Sequence, residues 1–289
     1  MMGVLNHLST LLLLSLLPPA LSHVVEKFSD VRQCKKFFMN GTTPTLTGIL
    51  VGGIVKNEGR YKPICQKYKN FYRFATLYDT TNRIPVFSAY TFTGSSKKSR
   101  PKQPWMIEPE LNRYNNSPEM VVDDSYQAGN NDYKNSIPSK GVNKGFLFPS
   151  SHAHDLDTQK STFTLTNIVP QVVSFNDGSW KVMEDYVRTK FKKDCIRNRM
   201  IKAYVVTGAV PNNNNNTLNN RVNIPDLLWT AYCCYNSEKN KWMAGAHWGE
   251  NKKEVKIQTL KTETLGALEK MLKKGGRAQV FPKDCPRGP

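Results

Sequence analysis

NKGFLFPSSHAHD (residues 143–155), STFTLTNIVPQ (161–171) and SFNDGSWKVMEDYVR (174–188) make one nearly unbroken frame around which the rest of the chain can be arranged. Gly145 between apolar neighbours predicts a turn. Thr162 to Val169, with threonines at nearly every second position, predicts a strand. FNDGSW (175–180) has the composition of a turn, and the amphipathic run from Trp180 through Val187 predicts a helix. A strand, a loop and a helix that together carry Asn, Asp and Glu form a frame for one hard metal ion. Short oxygen-bearing side chains suit Mg²⁺ or Mn²⁺, and Mg²⁺ usually keeps several waters. The same residues also describe a buried strand followed by a helix capped near Asp177.

Outward from this frame, composition bounds the class. The chain has 289 residues, 39% apolar and 22% charged, enough for one substantial core or two lobes sharing one. Its net charge of +18 and pI near 9.6 favour polyanionic partners: nucleic acid, anionic glycans or an anionic membrane surface. Residues 1–22 read as a cleaved secretory signal, with an apolar run at Leu11–Leu17, a break at Pro18-Pro19 and small residues at Ala20 and Ser22. That run is too short to span a bilayer, which takes about 20 apolar residues. No later stretch is long and apolar enough either, so no membrane insertion is expected and the mature chain is read as a secreted, extracellular protein.

Cysteine usage agrees with that route. The six cysteines, Cys34, Cys65, Cys195, Cys233, Cys234 and Cys285, are an even set in a secreted chain and imply disulfides, with 15 pairings open. A bond between the adjacent Cys233 and Cys234 is geometrically awkward, so each is expected to pair elsewhere. Zinc is disfavoured by the absence of CxxC spacing. Sequons at Asn40, Asn115 and Asn215 are candidate glycosylation sites, the last in an asparagine run that reads as an exposed loop.

The remaining segments divide as an N-terminal arm (23–60), a main domain (61–275) and a short basic tail (276–289). Phe71–Leu77 and Val86–Phe92 are β-rich around a turn at Asp79–Asn82. The Ser/Lys/Pro-rich loop from residue 94 clusters Lys97, Lys98, Arg100 and Lys102 near Trp105. Cations beside an aromatic ring suit phosphate contact plus base stacking, although a short basic loop is often only solvated. Residues 181–199 predict a strongly basic helix and its extension, with Lys192 and Lys193 on a face able to follow a phosphate backbone. A core strand over 200–210, sheet continuation through 221–236, a strand near 241–249 and a helix over 262–273 complete the pattern.

On TNIVPQ (166–171), FNDGSW (175–180) and MEDYVR (183–188) the chain resembles the DNA/RNA non-specific endonuclease family, and most nearly its secreted, endonuclease domain-containing 1-like members. CQKY (65–68), RFATLYDT (73–80), RIPVFSAY (83–90) and RVNIPDLLWTAYCC (221–234) extend the likeness over roughly residues 30 to 285. The resemblance implies an α+β fold: a mixed or antiparallel central sheet, flanking helices and a ββα-metal (His-Me) finger, stapled by disulfides. By analogy, and from the flanking residues, Cys34 pairs with Cys65, while the order of the other four stays open. The resemblance also implies one Mg²⁺ (or Mn²⁺) held by Asn176 and waters. It assigns Asn167 to support from behind, Glu184 to orienting the waters, and Arg188 and a basic residue near Arg83 to the phosphate.

One departure bears directly on function. The family's Asp-Arg-Gly-His quartet, whose His is the general base, here reads Asn143-Lys144-Gly145-Phe146. Phenylalanine cannot accept a proton. Lys144 keeps a positive charge but loses the planar fork that grips phosphate. His152 is a substitute base only if its loop folds back; otherwise it and His154 are surface residues. His247 is more simply structural. Whether the chain is an enzyme therefore stays open. It reads either as a secreted, basic DNA- or RNA-binding protein with impaired metal-dependent phosphodiester hydrolysis, or as an active Mg²⁺-dependent endonuclease with another base. A third reading is an extracellular binder of other polyanions.

Overall fold

The computed structural model describes residues 24–96, 98–112, 126–273 and 276–288. Its centre is a six-stranded antiparallel sheet in the order Lys241–Glu250, Leu227–Asn236, Ala203–Val210, Ile84–Phe92, Phe71–Asp79, Tyr61–Tyr68. These segments are rich in β-branched and aromatic residues, which suit a pleated surface packed on both faces. Successive side chains point to opposite faces, so Ala203, Val205 and Ala209 enter one core while Tyr204, Val206 and Val210 enter the other. The first core joins the sheet to the 143–194 frame. The second packs it against the N-terminal arm and the helix Leu265–Leu272.

The alternation also explains the twin cysteines. Cys233 and Cys234 lie opposite Tyr204 and Ala203 on the neighbouring strand and face different cores. Cys234 bonds Cys195, the residue after the helix Lys181–Asp194 (the finger helix), and Cys233 bonds Cys285 near the C-terminus. Cys34 bonds Cys65, joining the arm to the sheet edge. The arm and the tail are also joined to each other: Thr45–Leu46 pairs with Ala278–Gln279 in a small four-stranded sheet. Among the described residues no helix is long and apolar enough to cross a membrane.

The frame itself differs in detail from its sequence pattern. Gly145 is not in a turn. It sits inside the strand Val142–Phe146, which pairs with Ile168–Val172 in the register Asn143↔Gln171, Gly145↔Val169. Glycine is needed there for close approach, since a Cβ would lie 2.1 Å from Oε1 of Gln171. The second strand starts at Ile168, after a 3₁₀ turn at Leu165–Asn167, later than the threonine pattern suggests. Asn167 makes that turn. Its Oδ1 accepts from Ser88 Oγ and the Phe148 amide, and its Nδ2 donates to the carbonyls of Phe148 and Thr162. Asn176–Trp180 is a helical bulge leading into the helix Lys181–Asp194, which stops five residues short of the expected extension. Its start is capped by Glu254, not Asp177: the Glu254 carboxylate accepts from the amide and hydroxyl of Ser179.

Candidate active site

The strand pair and the helix form two walls of a cleft of about 760 Å³. The helix wall presents Asn176, Asp177, Lys181, Glu184, Asp185 and Arg188; the ribbon wall presents Asn143, Lys144 and Phe146. Lys98, Arg100 and Trp105 close the rim from the basic loop. The bulge and the ribbon register bring the walls together. Nδ2 of Asn176 donates to Oδ1 of Asn143 at 2.6 Å, which leaves the Asn176 amide oxygen available.

Electrostatics differ between the walls. Burial pushes the Glu184 carboxyl up to about 8, against the smaller lowering effects of Trp180, Arg188 and Lys181. Arg188 is ion-paired to Asp185 at 2.8 Å along the same helix, so it is not an unengaged phosphate grip. On the ribbon wall, burial lowers the Lys144 ammonium. Its Nζ lies 5.2 Å from the Trp105 ring centre and 4.8 Å from that of Tyr133. The Phe146 ring packs against Trp105 and Phe163 at 5.4 and 5.1 Å, and the Arg100 guanidinium lies 5.2 Å from the ring centres of Phe146 and Phe163. Cations and rings thus interleave along the ribbon wall.

No histidine of the described residues lines this cleft. His152 is neither on the surface nor aimed at the cleft. It is buried, with Nε2 on the Glu184 carbonyl at 3.0 Å and Nδ1 on the Tyr90 hydroxyl at 2.8 Å. A carbonyl only accepts, so Nε2 carries the proton and Nδ1 accepts from Tyr90. Burial holds this imidazole down to about 4. His154 pairs with Asp155 at 2.7 Å, away from the cleft, and His247 is buried with Nδ1 on the Leu260 carbonyl.

Of the other expected site residues, Asn167 is fully buried and bonded and does not line the cleft. Arg83 sits in a tight turn (φ 53°), donates to the Arg221 carbonyl and does not line the cleft. Lys192 and Lys193 are exposed at the far end of the helix. Asn40 and Asn215 are exposed. Lys97 and Asn115 lie outside the described residues. Sequence reading missed Trp105 and Tyr133 as ring partners of Lys144, and it missed Gln171. Gln171 is fully buried, opposite Asn143, and neither its side-chain oxygen nor its nitrogen has a bonding partner. The only hint was its place in TNIVPQ.

This donor set can be tested against a divalent ion. Among the described residues no three His, Cys, Asp or Glu side chains converge on one point. An ion here would therefore rest on the free amide oxygen of Asn176, with waters between it and Glu184. That sparse set fits Mg²⁺, which retains much of its hydration.

Comparison with known proteins bears on family and fold. Residues 53–276 match the family model described as DNA/RNA non-specific endonuclease. The Endonuclease domain-containing 1 protein of Homo sapiens is 31% identical over 222 residues, covering 73% of this chain and 40% of that protein. The Mus musculus protein of the same name is 30% identical over 266 residues, covering 88% and 47%. The chain thus spans less than half the length of these curated relatives. Among solved structures, a chain of the EndoG/EndoGI complex superposes with a TM-score of 0.50 at 18% identity, over 71% of this chain and 83% of that one.

Proposed function

We propose, from the premise that the chain belongs to the DNA/RNA non-specific endonuclease family, that it binds nucleic acid in the finger cleft and is impaired in cutting it. The observation that supports this reading most is the ribbon wall. Phe146 is packed among Trp105, Phe163 and Arg100, and no described histidine reaches the cleft in its place.

Hydrolysis of a phosphodiester needs a group that takes a proton from the attacking water. General bases contribute typically about 10²–10⁴ in rate, and a benzyl side chain contributes none of it. His152 does not substitute, because its proton-bearing nitrogen is held by a carbonyl and its other nitrogen by Tyr90. The binding half of the task is better provided. Lys98, Arg100 and Lys144 place positive charge along the cleft for phosphate, and the Trp105 ring offers a stacking surface for a base. Mg²⁺, when bound, would supply charge stabilisation at the phosphate; Asn176 would hold it and Glu184 would orient its waters. The substrate class is DNA or RNA. The three disulfides and the apolar N-terminal run support secretion.

Plasmid nicking by the purified protein, with Mg²⁺ and with EDTA, beside Phe146→His, tests the reading. The wild type is expected to nick slowly or not at all and the variant at least tenfold faster, with Asn176→Ala and Glu184→Ala abolishing the gain. Metal-dependent nicking by the wild type as fast as by Phe146→His would overturn it. Fluorescence anisotropy with a labelled oligonucleotide measures binding separately. It should be weakened by Arg100→Gln and left intact by Phe146→His.

A further inference from the structure

A second cleft, of about 850 Å³, shares no lining residue with the finger cleft. It lies between two hairpins. One turns at Lys69-Asn70 and the other at Asn198-Arg199, and all four turn residues have φ between 49° and 65°. Two consecutive residues of positive φ make tight two-residue turns that hold the flanking side chains in fixed directions. Each turn is followed at once by a large apolar residue standing in solvent: Phe71 is 66% exposed and Met200 67% exposed. Both line the same cleft.

The surroundings of these two residues are cationic. Lys36, Arg73, Arg197, Arg199 and Lys202 line the cleft, and no carboxylate does. Arg73 is ion-paired with Asp155 and Asp157 behind it, and its guanidinium lies 5.3 Å from the Phe71 ring centre. Among the described residues the other four make no ion pair; three are shelved on rings instead, Lys36 on Phe37, Arg197 on Tyr235 and Lys202 on Tyr204. Lys36 is lowered by burial and by the nearby Arg73, so positive charge here is crowded.

We infer that this face docks on the surface of an anionic phospholipid bilayer, with Phe71 and Met200 dipping into the interface and the cations around them meeting lipid phosphates and carboxylates. Charge complementarity identifies an anion. The apolar pair selects a membrane over a glycan or a nucleic acid, because neither of those offers a medium in which an unstacked methionine and the free edge of a phenylalanine lose contact with water. Polybasic surfaces gain about 1 kcal/mol per Lys or Arg at an anionic membrane, a factor of about five each.

Flotation of the full secreted chain with vesicles of phosphatidylcholine, with and without phosphatidylserine, tests this. Binding is expected only with phosphatidylserine. Arg199→Gln with Lys202→Gln should weaken it about 25-fold, and Phe71→Ser with Met200→Ser about tenfold or more. All four residues are exposed, so thermal unfolding of both double variants should match the wild type and exclude misfolding. Nucleic-acid binding in the finger cleft should be unchanged by the Phe71/Met200 pair, which separates failure here from failure of the proposed function. No binding to phosphatidylserine vesicles would overturn the inference. So would binding sensitive to the charge pair and indifferent to the apolar pair, which would mark the face as a general polyanion site.

Discussion

The two walls of the finger cleft differ in kind. The helix wall offers the polar side chains of Asn176 and Glu184, while the ribbon wall offers rings and cations. Behind them lies a layer that serves the fold. Asn167 fixes the turn before the second strand, the Glu184 carbonyl holds His152, and Trp180 is fully buried in the core. These residues serve the fold whether or not a phosphodiester is cut. The side chain at 146 has no such duty, since any group that fills the space against Trp105 and Phe163 satisfies the packing. The fold therefore accounts for Asn167, Trp180 and the Glu184 backbone, and leaves the cleft-lining side chains of Asn176, Glu184 and Phe146 as the informative ones.

The contrast can be broken most severely at two asparagines of one chemistry and opposite duty. Asn167→Ala strands the Phe148 amide and two carbonyls and leaves the Ser88 hydroxyl only Thr76 as partner, and should cost about 3–5 kcal/mol in urea unfolding. Asn176→Ala, half-buried with one amide bond to Asn143, should cost no more than about 1 kcal/mol while removing any metal-dependent cutting that Phe146→His restores. Equal losses would mean that Asn176, like Asn167, serves the fold.

His152 sharpens the comparison through pH. Its imidazole titrates near 4 in the fold and near 6.5 when unfolded. Below 6.5 the unfolded chain therefore takes up a proton that the folded chain refuses. Stability should fall as pH drops from 6.5 to 4, by up to about 3 kcal/mol from this group alone. His152→Gln should flatten that part of the unfolding-versus-pH curve. If the slope persists unchanged, the imidazole is not held neutral between Tyr90 and Glu184.

The smallest effect belongs outside both walls. Lys192→Ala with Lys193→Ala removes two exposed charges beyond the cleft. Stability should change by less than about 0.5 kcal/mol, and oligonucleotide affinity should fall less than with Arg100→Gln. A larger loss would extend the nucleic-acid path along the helix.

Much of this was legible in the chain. The β-rich segments predicted the sheet and the amphipathic run from Trp180 predicted the helix, while the roles of Asn176 and Glu184 came only from the family resemblance. What escaped depended on partners distant in sequence. Glu254 caps a helix that begins more than 70 residues earlier. Trp105 meets Phe146 only because the basic loop crosses the ribbon. Gly145 has the local character of a turn, and only the Gln171 side chain beside it explains a glycine in a strand. Local propensity cannot report a contact whose other half is elsewhere.

The adjacent cysteines bear on how the protein is made. Because Cys233 and Cys234 face opposite cores, one strand secures the finger helix on one side and the C-terminal tail on the other. During synthesis Cys195 and both members of the pair emerge well before Cys285. For that interval Cys195 has two neighbouring candidates of equal reactivity, and the wrong choice would turn the strand over by one residue. Correct oxidation therefore depends on the sheet forming first and presenting only Cys234 to the helix. Any bond made before that strand has settled has to be reopened by thiol–disulfide exchange.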